Sequence, residues 1–215
     1  MKRPLLDRQL HRLLPMCEDN SNKKELRKIH RLLLKKNGAE RKHDAMLLTV
    51  AYSLLQSSHE VLVEHMLPSE TETLYADVYA VKDGVSKIYE VEVFAYQGNF
   101  VPVAGSRYYR KLSKDEYFRD RIIGKISRYW PHTDEFYLTF AKMNAGSLQL
   151  YFDLFKFFKK PVAERSFETI HELTRGVDKV YTHPRIPKDR IKNARLTGVY
   201  GVDIKNVAFE KLEFD

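Results

Sequence analysis

The stretch LYADVYAVKDGVSKIYEVEVFAY, residues 74–96, decides the fold. Two runs rich in Val, Ile and Tyr flank Lys82-Asp83-Gly84. Asp-Gly between alternating apolar residues predicts a tight hairpin, because Gly accepts the positive φ that such a turn demands. Each predicted strand also carries acids that a hairpin does not need: Asp77 in the first, Glu90 and Glu92 in the second. Side chains alternate along a strand, so Glu90 and Glu92 share a face. With Asp77 on the same face, three carboxylates converge on one patch of sheet.

Such a patch needs compensation. Two unit charges about 5 Å apart repel by roughly 3 kcal/mol at an effective dielectric near 20, and three such pairs approach the net stability of a domain. Either the acids point apart into water, pairing with lysines such as Lys82 and Lys87, or a cation sits among them. Oxygen-only ligands suit Mg²⁺ or Mn²⁺.

Working outward, Leu at 5, 6, 10, 13 and 14 predicts a helix that Pro15 ends. Ser21 or Asn22 offers an N-cap for a second helix through Lys36, with Gly38 as its stop. Leu26, Ile29, Leu33 and Leu34 line one side of it, and Lys23, Lys24, Arg27, Lys28, Arg31 and Lys35 the other. A helix over 40–55 buries Met46, Leu47, Val50 and Leu54. Glu40 and His43, three apart, share one of its faces. A strand follows at 61–67. Beyond the hairpin, 97–110 reads as loop, and 115–130 as a helix with Lys125 and Tyr129 on one face at i, i+4. Segments 135–142 and 148–158 read as strands, 163–175 as a helix, and Pro184 and Pro187 bracket an extended piece. The order predicts an α/β (α+β) fold, a central mixed sheet flanked by helices.

The 215 residues are 43% hydrophobic and 12% aromatic, which excludes a disordered chain. No apolar run reaches the length of a membrane span, and the N-terminus lacks the features of a signal peptide. Cys17 is the single cysteine, so there is neither an internal disulfide nor a cysteine-built zinc site; a reducing cytoplasmic setting is expected. The net charge of +8 is not evenly spread: residues 1–42 hold 13 Lys/Arg and 5 Asp/Glu, the remainder 24 of each. A basic helical arm (1–42) on a near-neutral body (43–215) is the pattern expected of sequence-independent phosphate binding; the plainer alternative is a solvated, solubilising helix face.

A helix bearing Glu, a strand with Asp, a turn, a strand reading Glu-x-Lys and then a helix is the pattern of the PD-(D/E)XK nuclease superfamily, which residues 40–142 resemble. Ala76-Asp77 stands where the family has Pro-Asp, and Glu90-Val91-Glu92 where it has Glu-x-Lys. Gly38-Ala39-Glu40-Arg41 and the hairpin are similar to the archaeal Holliday junction resolvases, and the chain also resembles small nucleases of archaeal viruses. The resemblance implies a restriction-endonuclease-like core and a homodimer acting on duplex or branched DNA, leaving 5′-phosphate and 3′-hydroxyl ends. It implies a Mg²⁺ or Mn²⁺ ion held by Asp77, Glu90 and the Val91 carbonyl, with Glu40 reaching it directly or through water, or Glu64 as the alternative first acid. The family lysine is replaced by Glu92, which then binds a second ion or orients the nucleophile, and Lys125 supplies the missing charge from the following helix. A solvent-facing Lys125 and a purely structural His43 are the bland alternatives. The lysines and arginines at 23, 24, 27, 28, 31 and 35 hold the DNA backbone. Other readings are a catalytically inactive DNA-binding replication or maintenance factor on the same scaffold, and an RNA nuclease or binder.

Overall fold

The computed structural model describes residues 4–35, 42–69, 73–93, 100–102, 109–111, 113–142, 148–166, 169 and 186–213. Helices α1 (Pro4–Leu13), α2 (Asn20–Leu34) and α3 (Lys42–Gln56) precede strands β1 (Glu60–Leu67), β2 (Leu74–Lys82) and β3 (Val85–Glu92). A small hairpin, β4 (Phe100–Pro102) and β5 (Tyr109–Lys111), separates β3 from α4 (Lys114–Tyr129). Then come β6 (Glu135–Ala141), α5 (Phe152–Lys159), α6 (Lys188–Asn193), β7 (Gly198–Asp203) and β8 (Ala208–Leu212).

The six-stranded sheet runs β1-β2-β3-β6-β7-β8. β1, β2 and β3 form an antiparallel meander, β6 and β7 lie parallel to β3, and β8 returns antiparallel. The predicted mixed sheet flanked by helices is what forms. The turn at its centre is as read: Asp83 has φ 52 and Gly84 φ 78, positive at both central positions as a tight hairpin needs.

Each face of the sheet has its own apolar layer. Leu6, Leu13, Leu26 and Leu33 of α1 and α2 join Met46, Leu47 and Val50 of α3 against Val63, Val78 and Val91. On the other face Phe118, Ile122 and Ile126 of α4 and Phe155 and Phe158 of α5 cover Ala76, Ile88, Leu138 and Phe140. Residues 4–35 therefore do not stand off from the body as an arm. They complete one core layer, and Arg12 adds hydrogen bonds of 2.8 and 3.1 Å to the carbonyls of Ile204 and Lys205.

Several sequence readings need correction. Residues 148–158 are not a strand but a 3₁₀ turn leading into α5. The alternation of Leu148, Leu150, Phe152 and Leu154 coexists with a helical stripe, and burial of Tyr151, Leu154, Phe155 and Phe158 chose the helix, leaving Leu150 63% exposed. α2 is capped by Asp19, whose carboxylate accepts from the Ser21 N–H at 2.7 Å, rather than by Ser21 or Asn22. The 97–110 loop contains β4 and the start of β5. Of the helix predicted at 163–175, residues 163 and 164 fall in a 3₁₀ turn (Val162–Glu164), and most of the remainder lies outside the described residues. Pro187 stands at the N-cap of α6 with φ −59 and ψ 144, and Pro184 lies outside the described residues.

Candidate functional site

The β2–β3 ladder runs from Lys82↔Val85 to Val78↔Tyr89 and stops there. One residue further, side chains replace the backbone bonds. The Asp77 N–H donates to Glu90 Oε1 at 3.0 Å, and the Val91 N–H donates to Asp77 Oδ2 at 2.8 Å. Peptide groups released by the parting strands must find other partners, and these carboxylates serve. The Val91 carbonyl opens toward the same gap, because N–H and C=O of one strand residue address the same neighbouring strand.

β1 is irregular at the same level. Glu64 has φ 52, in the left-handed region that a non-glycine residue rarely adopts. It falls between the pairs Val63↔Val78 and His65↔Ala76, opposite Asp77. Val61, Val63, Val78 and Ala80 belong to the α1–α3 layer, whereas Leu67, Leu74 and Ala76 belong to the α4 layer. Strict alternation would keep 61, 63 and 67 on one face, so the β1–β2 ribbon rolls over at Glu64 and Asp77. Asp77 sits at that roll and is reached from both layers.

From the α4 layer comes Lys125. Its Nζ lies 2.7 Å from Glu90 Oε2, 3.0 Å from Glu92 Oε1 and 3.4 Å from Asp77 Oδ2. One turn earlier on α4, Arg121 Nη2 lies 2.9 Å from Glu92 Oε1, and its Nη1 donates to the Tyr117 hydroxyl at 2.9 Å. From the other layer comes His43, with Nε2 3.3 Å from Asp77 Oδ2 and Nδ1 3.7 Å from Asp44 Oδ1. Glu90 is 1% and Glu92 3% exposed, so water does not screen the cluster. Lys125, Arg121 and the imidazolium of His43 answer Asp77, Glu90 and Glu92.

The titration behaviour follows from this packing. Burial alone would raise Asp77, but Lys125, His43 and the Val91 N–H outweigh it and hold the carboxyl far below its usual range. Burial and the Asp77 charge push Glu90 up to about 7. Burial opposes charge on Lys125, yet Glu90, Glu92 and Asp77 raise it well above an ordinary lysine. Burial likewise opposes charge on His43, but Asp44 and Asp77 raise it to about 9.

The structure thus brings together Asp77, Glu90, Glu92 and Lys125, with Val91 between the acids. Lys125 does not face solvent, and the lysines that would have neutralised a solvated strand are elsewhere: Lys82 donates to the Ser57 carbonyl and Lys87 pairs with Glu135. Glu64 stands opposite Asp77 in β1. Glu40 lies outside the described residues. On α2, Lys24, Arg27, Lys28, Arg31 and Lys35 are exposed and Lys23 is half-buried; Lys28 is paired with Glu25 at 3.2 Å. Two participants, Asp44 and Arg121, were not singled out by the sequence. Arg121 had a readable signal, since it precedes Lys125 by four on a helix.

Among the described residues no group of three His, Cys, Asp or Glu side chains is arranged to hold a metal ion unaided. The donor set is nevertheless of the right chemistry: hard oxygens on Asp77, Glu90 and the Val91 peptide. Asp77 stays ionised, and among the described residues its Oδ1 accepts no hydrogen bond from the protein, nor does Oε2 of Glu92. Beside the acids, α4 presents a cleft of about 250 Å³ lined by Asp120, Arg121, Gly124, Lys125, Arg128 and Tyr129. Its cations give that surface an affinity for anions. Among the described residues no helix is long and apolar enough to cross a membrane. Comparison of the chain with protein-family models, curated proteins and solved structures returned no match.

Proposed function

We propose that this protein is a divalent-metal-dependent DNA endonuclease of the PD-(D/E)XK kind. The observation that carries the reading is the Lys125 ammonium set among Asp77, Glu90 and Glu92 where the β2–β3 ladder breaks. The order of α3, a three-strand meander bearing Asp77 and Glu90-Val91-Glu92, α4 and a strand parallel to β3 supports it. In this reading Asp77, Glu90 and the Val91 carbonyl hold Mg²⁺ or Mn²⁺, with Glu40 as a further ligand. The ion supplies the positive charge that activates water and offsets charge building on the phosphate.

The protein's own groups do the rest. Lys125 keeps the buried acids in register and brings a fixed positive charge to the scissile phosphate, the role left vacant by Glu92. His43 fixes the orientation of Asp77, and Arg121 does the same for Glu92. The exposed cations of α2 hold the DNA backbone without reading its sequence. Branched DNA is the substrate class, and a homodimer the working form.

A second reading, a catalytically inactive DNA-binding factor, is favoured by one contact. With Lys125 Nζ 2.7 Å from Glu90 Oε2, the acids are neutralised by the protein itself. One experiment separates the two. Labelled four-way junction, duplex and single-stranded DNA are incubated with the protein in Mn²⁺ or in EDTA, alongside Asp77→Asn. The nuclease reading expects metal-dependent cutting that Asp77→Asn abolishes while DNA binding persists. Binding without cutting by the wild type in Mn²⁺ selects the inactive factor, and undiminished cutting by Asp77→Asn refutes the site.

A further inference from the structure

A second site lies at the other end of the parallel strands. The carboxylates sit toward the C-terminal ends of β3 and its neighbours, where Glu92 pairs with Phe140. Around the start of β6, five residues and roughly 16 Å back along the strand, opens a cleft of about 740 Å³. Trp130, Phe136, Lys160, Arg165, Arg195 and Thr197 are among its lining residues.

Lys160 and Arg195 are exposed along its lining. The acids that line it are already held: Asp134 Oδ2 accepts from the Ser86 N–H and hydroxyl at 2.8 and 2.7 Å, and Glu135 is held by Lys87 at 3.0 Å and the Tyr137 hydroxyl at 2.8 Å. Arg165 is only 4% exposed. Among the described residues its guanidinium meets no carboxylate; it donates to the carbonyls of Phe158, Lys160, Lys192 and Ala194, at the C-terminal ends of α5 and α6. These bonds use all five of its N–H donors, so Arg165 lines the cleft with no donor left for a ligand. Burial and the nearby Arg195 depress its pKa. Arg195 is exposed, and the contact it makes among the described residues is with a ring, its Cζ 5.8 Å from the Trp130 centroid. Trp130 Nε1 is buried with no hydrogen-bond partner among the described residues.

Exposed Lys160 and Arg195 and the unpartnered Trp130 Nε1 therefore gather beside the indole ring. Cations alone would suit any anion, and rings alone any apolar group. Together they suit an anionic phosphate attached to a planar base, which stacks on Trp and on Arg planes. We infer that the cleft beside Trp130 and Arg195 binds a nucleotide unit, separate from the carboxylate site and independent of its catalytic reading. The unit is either a free 5′-mononucleotide or an unpaired nucleotide within a DNA strand.

Trp130 is the only tryptophan of the chain, so its fluorescence reports the cleft directly. The intact protein is titrated in EDTA with thymidine 5′-monophosphate, thymidine, inorganic phosphate and a short oligothymidylate. Saturable quenching by the monophosphate or the oligomer, exceeding that by thymidine or phosphate alone, is expected. Arg195→Ala and Lys160→Ala, both at exposed positions, should each weaken it, Arg195→Ala by about tenfold or more, while Asp77→Asn leaves it unchanged. Saturation by the monophosphate assigns the free nucleotide; saturation by the oligomer alone assigns a strand. A flat titration with all four, quenching by phosphate or thymidine equal to that by the nucleotide, or quenching unaltered in Arg195→Ala overturns the inference.

Discussion

Lys125 shows how one residue can settle a cluster. Three acids on adjacent strands, two of them nearly inaccessible to water, persist because an ammonium lies within 3.4 Å of each. Removing one partner of such a group is strongly destabilising, since the remaining charges stay buried. Lys125→Met should lower the unfolding free energy in urea by about 3–5 kcal/mol at pH 8. The loss should be smaller at pH 6, where Glu90, already pushed up to about 7, takes a proton in place of the missing cation. His43 gives a second pH signature. Its folded pKa of about 9 lies above the ordinary 6.5, so its stabilisation is complete below about pH 6.5 and is lost as pH rises through 9. Glu90 adds a loss of the same sign between 4.5 and about 7. In metal-free protein the His43 window is worth at most about 3 kcal/mol. Urea titrations at pH 6.5 and 9.5 should show that fall, and His43→Gln should remove it.

At the scale of the element, the β2–β3 hairpin is specified locally. Gly84 has φ 78, and a Cβ placed there meets nothing within 4 Å, so the cost of a substitution is purely one of backbone conformation. Gly84→Val should destabilise by about 1–3 kcal/mol, read by urea unfolding, without changing DNA affinity. α5 is the opposite case. Its residues alternate like a strand and recur like a helix. The docking of Phe155 and Phe158 on the face of β6 resolved the ambiguity, Phe155 lying 5.9 Å from Phe140 ring to ring. A neighbour supplied by the rest of the chain decided it, and no window of the sequence contains that neighbour.

For the molecule as a whole, charge and core are interleaved. α2 lays Leu26, Ile29 and Leu33 into the layer beneath the site and turns its basic residues outward. That surface belongs to the same body as the carboxylates, so under the proposed function DNA bound there would keep a fixed relation to them. Replacing Lys24, Arg27, Arg31 and Lys35 together by Gln should weaken binding to every DNA sequence alike. It should also reduce the slope of log affinity against log salt by about 3–4 for duplex DNA if all four contact phosphates. Fluorescence anisotropy across a salt series measures it, and an unchanged slope would place the DNA elsewhere.

The sequence by itself determined the hairpin, its Asp-Gly turn, the mixed sheet with flanking helices, the identity of the clustered acids and the face of α4 that carries Lys125. Each depends on period or on turn chemistry, which are local properties of the chain. Only the tertiary structure decided that Glu64 adopts a left-handed conformation and rolls the β1–β2 ribbon, that the ladder ends at Val78↔Tyr89, and that Asp77 is therefore met by His43 from one layer and Lys125 from the other. It also decided that the first two helices close a core layer and that Arg165 is buried against two helix ends. These outcomes arise where segments far apart in the chain compete for the same space and the same hydrogen bonds, and that competition is settled only when the layers pack.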